Sequence, residues 1–216
     1  NNAVFFIYNK NFKLLIRLMK TVLHVGCGPQ KKSNINGFNN DNWKEIRFDI
    51  DKEVNPDILG TLTDMKLVET NSVDAIYSSH NIEHVFSHEV PIVLKEFYRV
   101  LKDDGMVVLR CPDLQSACEA IVDDKLLEPL YETSGFKIAP IDLLYGWREP
   151  LSLGNEYMAH KCGFTYSVLN SLFLEAGFKI NYGGRNPDVF ELFIVSFKQE
   201  KTEAEAESLG RPFLPI

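Results

Sequence analysis

The chain has 216 residues, of which 45% are hydrophobic and 12% aromatic, and its formal net charge is −7. That size and apolar content suit one α/β domain carrying an insertion or a tail. No Lys/Arg cluster is dense enough to follow a phosphate backbone, so nucleic acid is not an expected partner. The cysteines Cys27, Cys111, Cys118 and Cys162 lack Cys-x-x-Cys spacing, so neither a disulfide framework nor a zinc site is suggested, and reduced, partly buried thiols are expected.

Residues 1–18 mix apolar and basic side chains, and Asn9, Lys10, Asn11 and Lys13 break the apolar runs before any could span a bilayer. No small-residue cleavage site follows, which argues against a signal peptide. The expectation is an N-terminal extension over 1–19 whose amphipathic helix packs on the domain, in a cytoplasmic protein without a membrane anchor. A second reading takes Met19 as the natural start, because the fold signal begins directly after it.

From Thr21 onward, strand-like and helix-like segments alternate. Residues 22–25 read as a first buried strand and 45–48 as a second, joined by a polar Asn/Lys/Gly loop rather than a periodic helix. A short third strand is expected within 57–62, and a fourth at 73–78 leads into Ser78-Ser79-His80-Asn81. Residues 90–101 carry Val90, Val93, Leu94, Phe97, Val100 and Leu101 at helical spacing. Lys102-Asp103-Asp104-Gly105 should stop that helix before a fifth strand at 106–109. An amphipathic helix over 168–176 ends at Gly177, a suitable residue just past a helix end, and strands at 178–182 and 190–197 follow.

This alternation predicts a doubly wound, mainly parallel, seven-stranded sheet. Two stretches fall outside the rhythm. Residues 114–165 read as a helical insertion over the carboxyl ends of the strands, and 199–216 as a solvated acidic tail. The domain proper is then 20–198.

The chemistry concentrates at Val22-Leu23-His24-Val25-Gly26-Cys27-Gly28-Pro29, with Asp49 and Asp51 about where a second parallel strand would end. Glycines let a backbone approach a ligand, and a carboxylate offers two acceptor oxygens to a vicinal diol. A nucleoside cofactor is the expected occupant. The runs VLHVGCGP, FDID, VDAIYSSHNIEHV, KEFYRVLKDDGMVVLRCPDL and YSVLNSLFLEAGFKI, in that order, resemble class I S-adenosylmethionine-dependent methyltransferases over about residues 20–198.

The resemblance implies a Rossmann-like fold and S-adenosylmethionine as cofactor, with S-adenosylhomocysteine as product. It implies that Gly26, Cys27 and Gly28 line the methionine and ribose part of the cofactor and that Asp49, with Asp51 as fallback, holds the ribose hydroxyls. Leu62 falls at the adenine, and Ser79 and His80 face the sulfonium. The chain departs from the family's pattern at His24, where an acid is usual, at Gln30, where a third glycine is common, and at Thr61, which replaces an adenine-side acid.

Methyl transfer asks a protein mainly to align donor and acceptor and to exclude water, with a base where the acceptor is a hydroxyl. The base candidates are His80 and His84, which flank Glu83, and His160 at the end of the insertion. Each has a bland alternative as a packed or locally hydrogen-bonded histidine. Asp113, Tyr145, Arg148 and Tyr157, with Trp147, are candidates for holding a small-molecule acceptor, although Asp113 also suits a helix cap and the aromatics a packed lid. No His/Asp/Glu cluster has metal-ligand spacing along the chain, so a metal-independent reaction is expected.

The expected function is methyl transfer from S-adenosylmethionine to oxygen or nitrogen of a small molecule. The competing readings are a dinucleotide-dependent oxidoreductase or sugar-nucleotide enzyme, weakened by Lys31 at the third glycine position, and a non-catalytic S-adenosylmethionine-binding module.

Overall fold

A computed structural model of the chain describes residues 19–133 and 135–214; the amphipathic helix expected over 1–18 lies outside them. Strands β1 (Lys20–Val25), β2 (Trp43–Asp49), β3 (Ile58–Leu59), β4 (Val73–Ser79) and β5 (Leu101–Pro112) are parallel neighbours in the order β3-β2-β1-β4-β5. The apolar runs of β1, β4 and the second half of β5 fit strands covered on both faces. Helix α1 (Val90–Val100) joins β4 to β5 and buries Val93, Leu94 and Phe97 completely.

Beyond β5 the chain makes α2 (Leu114–Val122), the hairpin β6 (Tyr131–Thr133)–β7 (Phe136–Ile138), α3 (Pro140–Tyr145) and α4 (Arg148–Ser152). The insertion is thus helical, as expected, with a hairpin added. Helix α5 (Tyr166–Glu175) returns the chain to β8 (Ile180–Asn186) and β9 (Glu191–Phe197). These two complete the seven-stranded sheet, with β9 antiparallel to both β5 and β8.

The sheet separates two apolar clusters. One face carries α1 and α5 packed through Phe97, Leu169 and Phe173 on Leu23, Ile76 and Leu109. Truncating one of these fully buried phenylalanines to alanine costs about 3–5 kcal/mol. The other face lacks a long helix after β1, and its cover comes from Ile35, Phe38 and Trp43 together with the C-terminal segment.

That last contact corrects the expectation of a solvated tail. Helix α6 (Glu203–Gly210) starts on a reciprocal cap between Thr202 and Glu205 and buries Ala206. Phe213 then packs on Phe38 at 4.7 Å between ring centroids. The acidic side chains of α6 sit on its solvent side, while Ala206 and Gly210 face the sheet. Among the described residues, no helix is long and apolar enough to cross a membrane.

Candidate functional site

The chain runs outward from β1 to β2 and β3, then crosses back to β4 on the other side of β1. Loops leaving β1 and β4 therefore diverge, and a crevice opens at the carboxyl ends where they part. A cleft of about 410 Å³ lies there, within the size range of small-molecule and cofactor sites.

The floor of the cleft is the loop after β1. Gly26 has φ +60°, and a Cβ there would lie 2.3 Å from Asn81 Cγ, so both the conformation and the space demand glycine. Gly28 has φ +49° with open space where its Cβ would be. The loop is tied to the end of β2: the Cys27 amide donates to the Phe48 carbonyl (3.3 Å) and the Gly28 amide to Asp49 Oδ2 (2.8 Å). Arg47 adds a hydrogen bond to the Gly28 carbonyl.

Asp49, nearly buried at the end of β2, accepts the Asp51 amide on its other oxygen (2.9 Å). Each carboxylate oxygen is thus used once and keeps a second lone pair for a ligand hydroxyl. Asp51 turns its own Oδ1 to the Glu53 amide and caps a short 3-10 turn. The third wall is Gly60, Thr61 and Leu62 after β3.

Four groups from distant parts of the chain meet at the fourth wall, after β4. His80 sits at φ +50°, a strained conformation for a non-glycine residue. Its Nε2 lies 2.7 Å from Glu191 Oε1, and its Nδ1 lies 3.6 Å from Glu83 Oε1. Burial opposes charge on this imidazole, but the two carboxylates outweigh it and hold its pKa up to about 9. Arg110 grips the other Glu191 oxygen at 2.6 Å, and His80 and Arg110 together hold Glu191 below the usual carboxylate range against its burial.

His84 Nδ1 lies 3.0 Å from the Ala159 carbonyl, and His160 Nδ1 lies 2.9 Å from the Leu143 carbonyl. A carbonyl only accepts, so both Nδ1 atoms carry the hydrogen, and in the neutral imidazole each Nε2 then presents a lone pair. The two rings meet edge to face at 4.9 Å. Burial lowers the His160 pKa, with Glu83 pulling the other way.

Of the residues singled out in the sequence, Gly26, Gly28, Asp49, Asp51, Leu62, His80, His84 and Tyr157 line the cleft. Cys27 points into the core and is buried, and Ser79 pairs with Arg110 at the end of β4. His160 stands behind His84. Asp113 is fully buried: it caps α2 through the Gln115 amide (3.0 Å), accepts Ser116 Oγ (2.6 Å) and pairs with Arg185 (2.7 Å).

Arg148 is committed to Asp142 (2.6 Å), and Tyr145 is largely exposed away from the cleft. The insertion instead contributes Asn155, Tyr157, Met158 and Lys161. Glu191 and Asn81 were missed by sequence reasoning; Glu191 gives no local signal, since only the β5–β9 pairing brings it to His80.

Residues 23–109 match the family model described as "Methyltransferase domain". No curated protein matches the chain. Among solved structures, the PH0226 protein from Pyrococcus horikoshii OT3 is 14% identical with a TM-score of 0.56, over 86% of this chain and 84% of that one. A Burkholderia thailandensis 1,6-didemethyltoxoflavin-N1-methyltransferase, solved with 1,6-didemethyltoxoflavin and S-adenosylhomocysteine, is 12% identical with a TM-score of 0.52, over 85% and 72%. The citrinin polyketide synthase CMeT domain is 11% identical with a TM-score of 0.53; 86% of this chain spans about half, 48%, of that one. At these identities the likeness is one of fold.

Proposed function

We propose that this chain, whose residues 23–109 match a methyltransferase-domain family model, is an S-adenosylmethionine-dependent class I methyltransferase that transfers methyl groups to oxygen or nitrogen of a small molecule. The observation that carries this reading is the switch-point cleft, where a glycine loop strapped to Asp49 leaves open space at Gly28 and free lone pairs on the carboxylate. That donor set fits a nucleoside with a vicinal diol. When bound, S-adenosylmethionine supplies an electrophilic methyl group on a sulfonium.

Asp49 would accept the ribose hydroxyls, Gly26 and Gly28 would admit the ribose and methionine portion, and Leu62 would flank the base. His80, whose pKa Glu191 and Glu83 hold up to about 9, would carry a positive charge at neutral pH rather than accept the proton. An acceptor's proton would leave toward the group formed by Glu83, His84 and His160, which offers lone pairs behind the cleft wall. Tyr157, Met158 and Lys161 would select the acceptor and exclude water.

Thermal unfolding in the presence of S-adenosylhomocysteine or NAD tests the cofactor. S-adenosylhomocysteine alone should raise the melting temperature; stabilisation by NAD alone would replace this reading with the dinucleotide one. Incubation with methyl-labelled S-adenosylmethionine and a panel of small phenols, alcohols and amines tests the transfer. Cofactor binding without labelling of any member would favour the non-catalytic module.

A further inference from the structure

We propose that Glu83, His84 and His160 form a binding site for one divalent transition-metal ion in the wall of the cleft. One ligand atom from each lies within 4.8 Å of the others, and Glu83 Oε1 is 4.0 Å from His160 Nε2. Two bonds of about 2.0–2.1 Å at a tetrahedral centre put ligand atoms about 3.4 Å apart. The pair needs to close by only a fraction of an ångström.

The stronger argument is the chemistry of the three side chains. Glu83 is 1% exposed, and neither carboxylate oxygen has a hydrogen-bond donor. A buried carboxylate left so is costly and calls for a partner. His80 offsets its charge from 3.6 Å but gives its close contact to Glu191. The two other neighbours turn lone pairs, not hydrogens, into the same space, because their Nδ1 hydrogens are spent on the Ala159 and Leu143 carbonyls.

Three acceptors converging on one point are what a cation requires. An imidazole whose far nitrogen is anchored on a backbone carbonyl is the usual arrangement of a metal-bound histidine, with ring orientation and tautomer fixed in advance.

Two imidazoles and one carboxylate suit Zn²⁺ and its neighbours in the first transition series better than Mg²⁺ or Ca²⁺, which prefer all-oxygen shells. Three protein ligands leave at least one coordination position open. His84 belongs to the cleft wall, so the ion would lie beside the cleft. The expectation of a metal-independent reaction rested on spacing along the chain, which cannot see His160 arriving from the insertion. Ion binding needs neither cofactor nor acceptor and is measured separately from methyl transfer, but an ion would occupy the lone pairs assigned above to an acceptor's proton.

The test uses the full chain, stripped with chelator and dialysed, in a Cys118→Ser background that removes the exposed thiol. Calorimetric titration with ZnCl2 should show one equivalent bound. CoCl2 should develop visible d–d absorption without a thiolate charge-transfer band. A hundredfold excess of zinc over its dissociation constant should raise the melting temperature by about 5–10 °C. Glu83→Gln and His160→Gln should each weaken zinc at least about 100-fold.

The proposal is overturned if less than about half an equivalent binds, if a thiolate band appears, or if both variants bind zinc like the parent. The stoichiometry and the cobalt spectrum are read on the parent protein, so they decide the matter even where a variant fails to fold.

Discussion

Replacing Asp49 by Asn is the sharpest probe of the cleft, because it preserves shape and removes charge. In the parent, one carboxylate oxygen accepts the Gly28 amide at 2.8 Å and the other the Asp51 amide at 2.9 Å. An amide has a single acceptor oxygen, so one backbone N–H loses its partner and confronts an NH2 group instead. Losing one hydrogen bond to a charged group costs about 1.5–3 kcal/mol.

In a chain of this length, that lowers the melting temperature by about 3–12 °C, at about 2–4 °C per kcal/mol. The ribose diol would lose one of its two acceptors as well, and the same energy weakens S-adenosylhomocysteine about 10- to 150-fold. Differential scanning calorimetry reads the first effect and titration calorimetry the second. Asp51→Asn is the control, since the Asp51 side chain is engaged by the Glu53 amide. Melting of Asp49→Asn within about 1 °C of the parent, with affinity within about twofold, would refute both the strapping and the ribose assignment.

Gly26→Ala should be worse for binding than for folding: the left-handed backbone costs about 1–2 kcal/mol, but the new Cβ also evicts Asn81 from the cleft wall. Equal S-adenosylhomocysteine affinity in parent and variant would contradict that geometry. Asp142→Asn should loosen the insertion, because Asp142 is buried and accepts from the Ala139 amide (2.9 Å) and from Arg148 (2.6 Å). The expected loss is about 1–3 kcal/mol, with faster hydrogen exchange over residues 139–152; unchanged exchange counts against it.

His24 gives a pH dependence. Burial lowers its pKa despite the Glu45 contact at 2.8 Å, so the unfolded chain takes up a proton more readily than the folded one. Its contribution is present above the unfolded value of about 6.5 and is lost as pH falls below it. His24→Gln should flatten the decline in melting temperature between about pH 6.5 and 5; an unchanged slope would show that other groups carry it.

The sheet was largely legible because its strands are short apolar runs bounded by glycines and acids, a pattern local to each segment. Boundaries moved where pairing decides them. β5 begins at Leu101, before the Lys102–Gly105 stretch expected to be a turn, because Leu101 pairs with Val73 and the register slips before Met106 meets Ala75. β8 extends through Gly183 and Gly184 because β9 supplies its hydrogen-bond partners. The glycine-loop half of the cleft was readable because Gly26 and Gly28 follow β1 and Asp49 ends β2, its parallel neighbour. The histidine half was not, since Glu191 and His160 reach His80 and Glu83 through folds of the chain that no window of sequence contains.

The turn from His80 to His84 joins the glycine loop, β9 and the insertion. Asn81 lies against Gly26, His80 reaches β9, the Glu83 carbonyl accepts the amides of Lys161 and Cys162, and His84 holds Ala159. Occupancy of the glycine loop and order in the segment 155–162 therefore draw on one shared free energy. By reciprocity, whatever the first ligand contributes to settling that turn, the second inherits as affinity. Mutual tightening is the signature such an arrangement predicts: nucleoside and acceptor should each lower the other's dissociation constant by the same factor, and equal affinities with and without the other ligand would exclude it.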